Sequence, residues 1–315
     1  MTRKHRIGFV GAGFMATEHA KAFASFPEAE IAGVVGRSSE GAQAFADANG
    51  CPVYADVDQL HNEGAADAVV VAVPELSCRE VCEKVFRHDW VSFLEKPVGL
   101  HYREARGLLA AAEAAGHAAY VALNRRAYSA TRKALDLLGA DGERLIVVTD
   151  TQDLREAREF GQPEAVIENW MFANSIHLVD YVRIFGRGQI VSVDVSSRWN
   201  AADPGPVVAT VRFDSGDVAV YQAVWNAPGP WAVAVTNRTL RAELRPLEHL
   251  GVQRLGERRL TPIETDPEDT EFKAGLRHQA RLVLARLEGK ESNLPTLSDA
   301  TASMELVARI YDRLD

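Results

Sequence analysis

The sequence predicts two parts of different fold class. Residues 1–123 read as α/β, a doubly wound parallel sheet. Residues 124–315 read as α+β, a large, mostly antiparallel sheet with flanking helices. Three observations predict this. Short apolar runs alternate with amphipathic stretches in the first third, as strands alternate with crossover helices. Further on, β-rich segments follow one another with few helices between. Two helical stretches then finish the chain, with the last expected to pack back near the first part.

The first part builds its sheet from "RIGFV" (Arg6 to Val10), "EIAGVV" (Glu30 to Val35), "DAVVVAVP" (Asp67 to Pro74), "WVSFLE" (Trp90 to Glu95) and "AAYVAL" (Ala118 to Leu123). The continuous Val/Ala run of the third is what a strand buried on both faces requires. "REVCEKVFRH" and "REARGLLAAAEAAG" read as helices between strands, with Gly116 where a helix C-terminal glycine is expected. In the second part, strands come from "GERLIVVTDTQD", "QIVSVDVSSRW", "VVATVRFDSG", "DVAVYQAVWN", "WAVAVTN" and "TLRAELRPL". "DSGD" (Asp214 to Asp217) and "TNRT" (Thr236 to Thr239) are hairpin-turn candidates. The late helices fall at about Glu271 to Glu288 and Ser298 to Leu314.

The length of 315 residues suits two domains, and 47% hydrophobic residues supply a core. A net charge of −9 argues against nucleic-acid and anionic-membrane partners. Cys51, Cys78 and Cys82 show no metal-like pairing and read as small buried hydrophobes of a reducing compartment; no metal site is expected. "MTRKHRIGFVGAG" has no signal-peptide core, and no apolar run approaches the ~20 residues of a membrane span. A cytoplasmic protein is expected.

The strongest local motif is "FVGAGFMA", in which Gly11, Gly13 and Ala16 fit G-x-G-x-x-A after a strand and before a helix. Gly11 permits the tight turn, Gly13 lets backbone approach a pyrophosphate, and Ala16 allows close helix–strand packing. The helix N-terminus, at Phe14 and Met15, offers N–H groups to phosphates. This is the dinucleotide fingerprint of a Rossmann fold, and Val73 and Pro74 end a neighbouring strand at the same edge. The tip of the second strand reads "VVGRSSE". An acid there would accept from a ribose 2′-hydroxyl, whereas Arg37 and Ser38 suit a 2′-phosphate. NADP is therefore expected, with NAD possible; alternatively Arg37 is a solvated charge and Ser38 only caps the next helix. Glu95, Lys96 and Pro97 follow a buried strand at its carboxyl edge, where open α/β sheets bind ligands. Pro97 favours an extended Lys96.

The order of G-x-G-x-x-A, "EKP" (Glu95 to Pro97) and, within a β-rich part, "HLVD" (His177 to Asp180) resembles the Gfo/Idh/MocA oxidoreductases. "NRR" (Asn124 to Arg126) is similar to the family's entry into its second domain, and "LPTLSDATASMELVARIY" to its C-terminal helix. The resemblance covers nearly the whole chain. It implies an NAD(P)-dependent dehydrogenase or reductase of sugars, amino sugars, sugar nucleotides or cyclitols, acting as a homodimer or homotetramer. It also implies that Lys96 contacts the reacting hydroxyl, that His177 is its acid/base partner, and that Glu95 and Asn124 lie by the cofactor. Non-redox nucleotide-binding regulators and NAD-dependent glycoside hydrolases share the architecture.

In "MFANSIHLVDYVRIFG", Asn174 or Ser175 can cap a helix, which places His177 in its first turn. The helix dipole there would favour a neutral imidazole, as a base needs, and Asp180 could orient the ring. The bland reading is a polar first-turn residue. The family pattern places an Asp four residues before the His; that position is Ala173, and the polar group is Asn174. Asn cannot take a proton. Asn174, Arg126 and Trp225 complete the expected substrate contacts, although a Trp in a sheet is commonly core.

Overall fold

The computed structural model describes residues 3–314. Its chain divides into two compact units. The first runs to Asn124 and includes Glu268–Thr301; the second is Arg125–Pro267 with the chain from Ala302 on. Sequence placed all of 124–315 in one part, so the return of 268–301 to the first unit revises that boundary.

In the first unit, β1 (His5–Val10), β2 (Ala29–Val35), β3 (Ala68–Val71), β4 (Val91–Leu94) and β5 (Ala119–Val121) form a parallel sheet in the order β2-β1-β3-β4-β5. Helices α1 (Phe14–Ala24), α2 (Ser39–Asn49), α3 (Val57–Gly64), α4 (Glu75–Val85) and α5 (Tyr102–Ala114) make the connections. The chain leaves β1 to one side for β2 and returns to the other for β3. Val10 therefore stands beside both Val35 and Val71, at a topological switch point. All four residues of β3 are buried, as its unbroken apolar run requires.

In the second unit, α6 (Ser129–Leu138) precedes β6 (Leu145–Gln152). The short helices α7 (Leu154–Glu159) and α8 (Glu164–Ile167) then lead to a π turn at Met171–Ser175 and to α9 (Ile176–Phe185). Strands β7 (Ile190–Ser197), β8 (Val207–Phe213), β9 (Val218–Trp225), β10 (Ala232–Thr236), β11 (Leu240–Leu244), β12 (Leu250–Arg254) and β13 (Thr261–Ile263) complete an eight-stranded sheet, ordered β13-β12-β11-β10-β6-β9-β8-β7. Among the described residues of this sheet, only the β6–β9 pair is parallel.

Both expected hairpins form. Gly216, at φ +88°, turns β8 into β9, and the Asn237 side chain accepts from Thr239 and Leu240 backbone N–H between β10 and β11. Inner-face residues of β6 are buried (Ile146, Val148, Asp150 and Gln152) while their neighbours are not, and α9 packs on that face. The late helices are α10 (Glu268–Glu271), α11 (Leu276–Leu287) and α12 (Leu297–Tyr311). In α11, Leu276, Ala280, Val283 and Leu284 make one buried stripe that joins the core of Phe9, Phe23 and Phe93. This stripe, packed on α1, is why the segment returns.

Candidate active site

A cleft of 530 Å³ opens at the carboxyl ends of β1, β2 and β3. Its wall includes Gly11, Gly13, Arg37, Ser38, Val73 and Pro74, so sequence-expected cofactor residues from three separate stretches meet there. Gly11 has φ +108°, and a Cβ on it would sit 2.0 Å from the Ala72 carbonyl oxygen. Its role is the close approach of the β1 turn to the chain leaving β3. A Cβ on Gly13 would meet nothing within 4 Å, because that space is the cleft itself. No side chain caps α1, whose first N–H groups are left for an anion. Ala16 is fully buried, as close helix–sheet packing needs. These residues fit a bound dinucleotide pyrophosphate.

At the tip of β2, Ser38 Oγ accepts from Gly41 N at 3.1 Å and caps α2. The hydroxyl still has its own hydrogen to donate, so capping and anion binding are compatible. Among the described residues no ion pair involving Arg37 forms. Lys84, which sequence reading passed over, also lines the cleft and is paired with Glu80 at 2.7 Å.

Other expected cofactor residues lie off the cleft wall. Phe14 is 69% exposed under the Lys273 ammonium, and Met15 packs on the core. Asn124 is buried and donates to the Ala274 carbonyl at 3.2 Å. Glu95 accepts from buried His19 Nε2 at 2.6 Å, a pairing across 76 positions that no local motif announces. Lys96 follows at the carboxyl edge, half-buried, with a cis peptide to Pro97.

In the second unit, the stretch around His177 departs from its sequence reading. Met171–Ser175 is a π turn continuous with α9, and both Asn174 and Ser175 lack a capping bond. His177 therefore does not sit at a free helix N-terminus, and the dipole argument for its neutral form loses its basis. It is 5% exposed, with the Trp231 ring 6.1 Å away. Asp180 is also assigned differently. Arg126 grips it with two bonds, at 2.8 and 2.7 Å, and Ser303 Oγ donates at 2.6 Å. Burial pushes the Asp180 carboxyl up, but Arg126 and Ser303 outweigh it and the net direction is down. Asp180 thus serves this ion pair rather than the imidazole. Arg126, expected at the substrate, has its fork engaged on Asp180.

Trp225 is likewise corrected. It is 4% exposed and packs among Trp199 and Tyr311, so it is a core residue. The Trp beside His177 is Trp231, whose Nε1 donates to the Thr151 carbonyl at 2.7 Å and whose ring lies under Arg125. The turn "NAPGP" before it was the available signal. Asn174 donates to Gln152 Oε1 at 2.9 Å.

Known proteins resemble the chain in sequence over part of its length and in fold over nearly all of it. Residues 5–123 match the GFO_IDH_MocA model, described as "Oxidoreductase family, NAD-binding Rossmann fold". The chain is similar to the "Inositol 2-dehydrogenase 1" of Paenarthrobacter aurescens, at 27% identity over 246 residues, which are 74% of this chain and 71% of that one. It is 31% identical to the "Inositol 2-dehydrogenase" of Rhizobium meliloti over 151 residues, 47% of this chain and only 45% of the relative's length. A solved structure of "UDP-N-acetylglucosamine 3-dehydrogenase" from Acidithiobacillus ferrooxidans shares the fold, with TM-score 0.80, 18% identity, and coverage of 99% and 98% of the two chains. The family match thus covers the Rossmann sheet of the first unit, and the likeness over nearly the whole chain is one of fold.

Proposed function

We propose that this chain is an NAD(P)-dependent dehydrogenase or reductase acting on a CH–OH carbon of a sugar, amino sugar, sugar nucleotide or cyclitol. The observation that carries the reading is the cleft at the β1/β3 switch point, with its open Gly13 and uncapped α1, in a chain whose relatives carry dehydrogenase names. When bound, a nicotinamide supplies the acceptor or donor of hydride for the carbinol carbon. The residues do the rest. Lys96 stabilises the alkoxide that develops as the C–H bond breaks, and His177 exchanges the hydroxyl proton. Arg37 and Ser38 at the cleft lip favour a 2′-phosphate and hence NADP over NAD. Asn174 and Trp231 are the polar and aromatic groups that the His177 segment offers a polyol. The outer sheet face, with Val147, Thr149, Val220 and Val224 half-buried in the lone chain, is the surface for a homodimer or homotetramer.

The test is a panel of sugars and cyclitols with NADP and with NAD, followed at the nicotinamide absorbance band. Turnover of at least one polyol with NADP supports the reading. Cofactor binding with no turnover across the panel instead favours a nucleotide-binding regulator, the alternative to which Ala173 at the usual acid position points.

A further inference from the structure

Behind the His177 segment lies a buried polar chain that the reaction above does not use. Asp150 and Gln152 sit two apart on the inner face of β6 and are 0% and 1% exposed. Asp150 accepts from Tyr221 Oη at 2.6 Å and from Gln152 Nε2 at 2.6 Å, and Tyr221 continues to Tyr311 at 2.8 Å. On its other side, Gln152 Oε1 accepts twice, from Trp170 Nε1 and from Asn174 Nδ2, both at 2.9 Å. Trp170 and Asn174 flank and form the π turn that leads into His177.

The donor and acceptor rules fix every amide in this chain. An indole N–H only donates, so the Gln152 atom facing Trp170 is its oxygen. The Gln152 nitrogen then faces Asp150, whose carboxylate oxygens accept. Asn174 meets the same Gln152 oxygen and must present its NH₂ group there. Its carbonyl oxygen is thereby turned away, at a partly exposed position one residue after Ala173. Flipping the Asn174 amide would set two oxygens against each other. Flipping Gln152 would set N–H against N–H at Trp170 and leave the buried Asp150 facing an oxygen, which costs a buried polar group its partner.

We propose that Gln152, held from behind by Asp150, is a positioning residue that locks the Asn174 carboxamide so that its carbonyl oxygen accepts a hydrogen bond from a substrate hydroxyl, in place of the carboxylate absent at 173. The inference rests on the polyol reading given above. It adds that a neutral acceptor of fixed direction, aimed by a network from the sheet, takes the recognition role while the proton chemistry stays with Lys96 and His177. A hydroxyl donor on the substrate is required; a methoxy or deoxy analogue at that carbon cannot make the bond.

The test has one arm independent of turnover. The Asn174 side-chain amide is observed by NMR in Asn-labelled protein and assigned by its loss in Asn174→Ala. Its protons should exchange slowly in the parent, and at least tenfold faster in Gln152→Met. Unchanged exchange overturns the lock. Should Gln152→Met not fold, the parent alone decides: the Asn174 amide should exchange at least tenfold more slowly than that of exposed Asn200, and equal rates overturn the lock. In the second arm, Gln152→Met should raise KM for the polyol about tenfold, the worth of one hydrogen bond, with kcat little changed. The same substitution should have no further effect in an Asn174→Ala background. Additive effects of the two substitutions overturn the proposal, since Gln152 would then act other than through Asn174. A slow-exchanging amide in a protein that neither binds nor turns over any polyol sinks the functional reading, and the acceptor role with it, while the lock itself stands.

Discussion

At Arg37, the proposed preference for NADP rests on a single side chain. It lines the cleft from the tip of β2, where an acid would have excluded a 2′-phosphate. Arg37→Ala should weaken NADPH by about 1.5–3 kcal/mol and leave NADH nearly untouched. Paired binding titrations read this, and tighter NADH binding by the parent protein would refute the preference. Lys96 carries a different kind of weight. Substitution by Met keeps the stem and removes the charge, so on the proposed mechanism the developing alkoxide would lose its stabiliser. We expect a 10²–10³-fold fall in kcat, roughly 2.7–4 kcal/mol, with NADPH affinity retained; near-parental rates would remove Lys96 from the chemistry. That Gly11, Gly13, Arg37 and Ser38 would meet at one cleft was legible because the strand–turn–helix pattern that places them is local. Glu95, Arg126 and Trp225 have partners that were not legible, for the opposite reason. Their partners are His19, Asp180 and Tyr311, at sequence separations that composition and spacing do not encode.

Among the elements, the π turn at Met171–Ser175 has the largest consequence for function. A run such as "ANS" before an apolar helix looks like a cap, because Asn and Ser satisfy orphan N–H groups. The same residues fit equally into one wide turn continuous with α9, and nothing in the sequence separates the two. The strands show a similar limit. β8 and β9 announce themselves through Val-rich alternation and the "DSGD" turn, whereas "LGVQR" of β12 and "TPI" of β13 have too little β-branched content to stand out. Function on this element can be probed directly. His177→Ala should lower turnover about 10²–10⁴-fold if the imidazole exchanges the proton. Ala173→Asp places a carboxylate four residues before it, at a position now 6% exposed. If the turn presents that position to substrate, the new acid should shift the pH–rate profile. A profile that overlays the parent's would mean that residue 173 faces away from the chemistry.

For the whole molecule, the pH dependence of stability follows from carboxylates that pull in opposite directions. Asp180, Asp217 and Glu268 are buried to different degrees, which raises them. Arg126, the Arg187 side chain and the Arg281 side chain outweigh that, so each is held below its ordinary value. Their contribution is present above the unfolded value and is lost as the pH falls through the folded one. Asp150 behaves in reverse. Burial pushes it up to about 6, and the hydrogen bonds from Tyr221 and Gln152 offset only part of the shift. A carboxyl raised on folding binds its proton more tightly in the native state, so the native state is favoured fully below the unfolded value near 4. That advantage declines as the pH rises through about 6. The difference corresponds to on the order of 3 kcal/mol. Asp150→Asn cannot ionise, and its amide can still serve Gln152 through oxygen and Tyr221 through nitrogen once that hydroxyl turns to accept. The melting temperature of the variant minus that of the parent should therefore increase from pH 4 to pH 6.5 and then level off, whatever its sign at pH 4. Histidines and the other carboxylates titrate in both proteins and cancel in the difference. A difference flat across that range would mean that Asp150 is not ionising on its own near pH 6. The buried Asp150–Gln152 chain would then have to be stabilised as the carboxylate more strongly than its two hydrogen bonds and full burial allow.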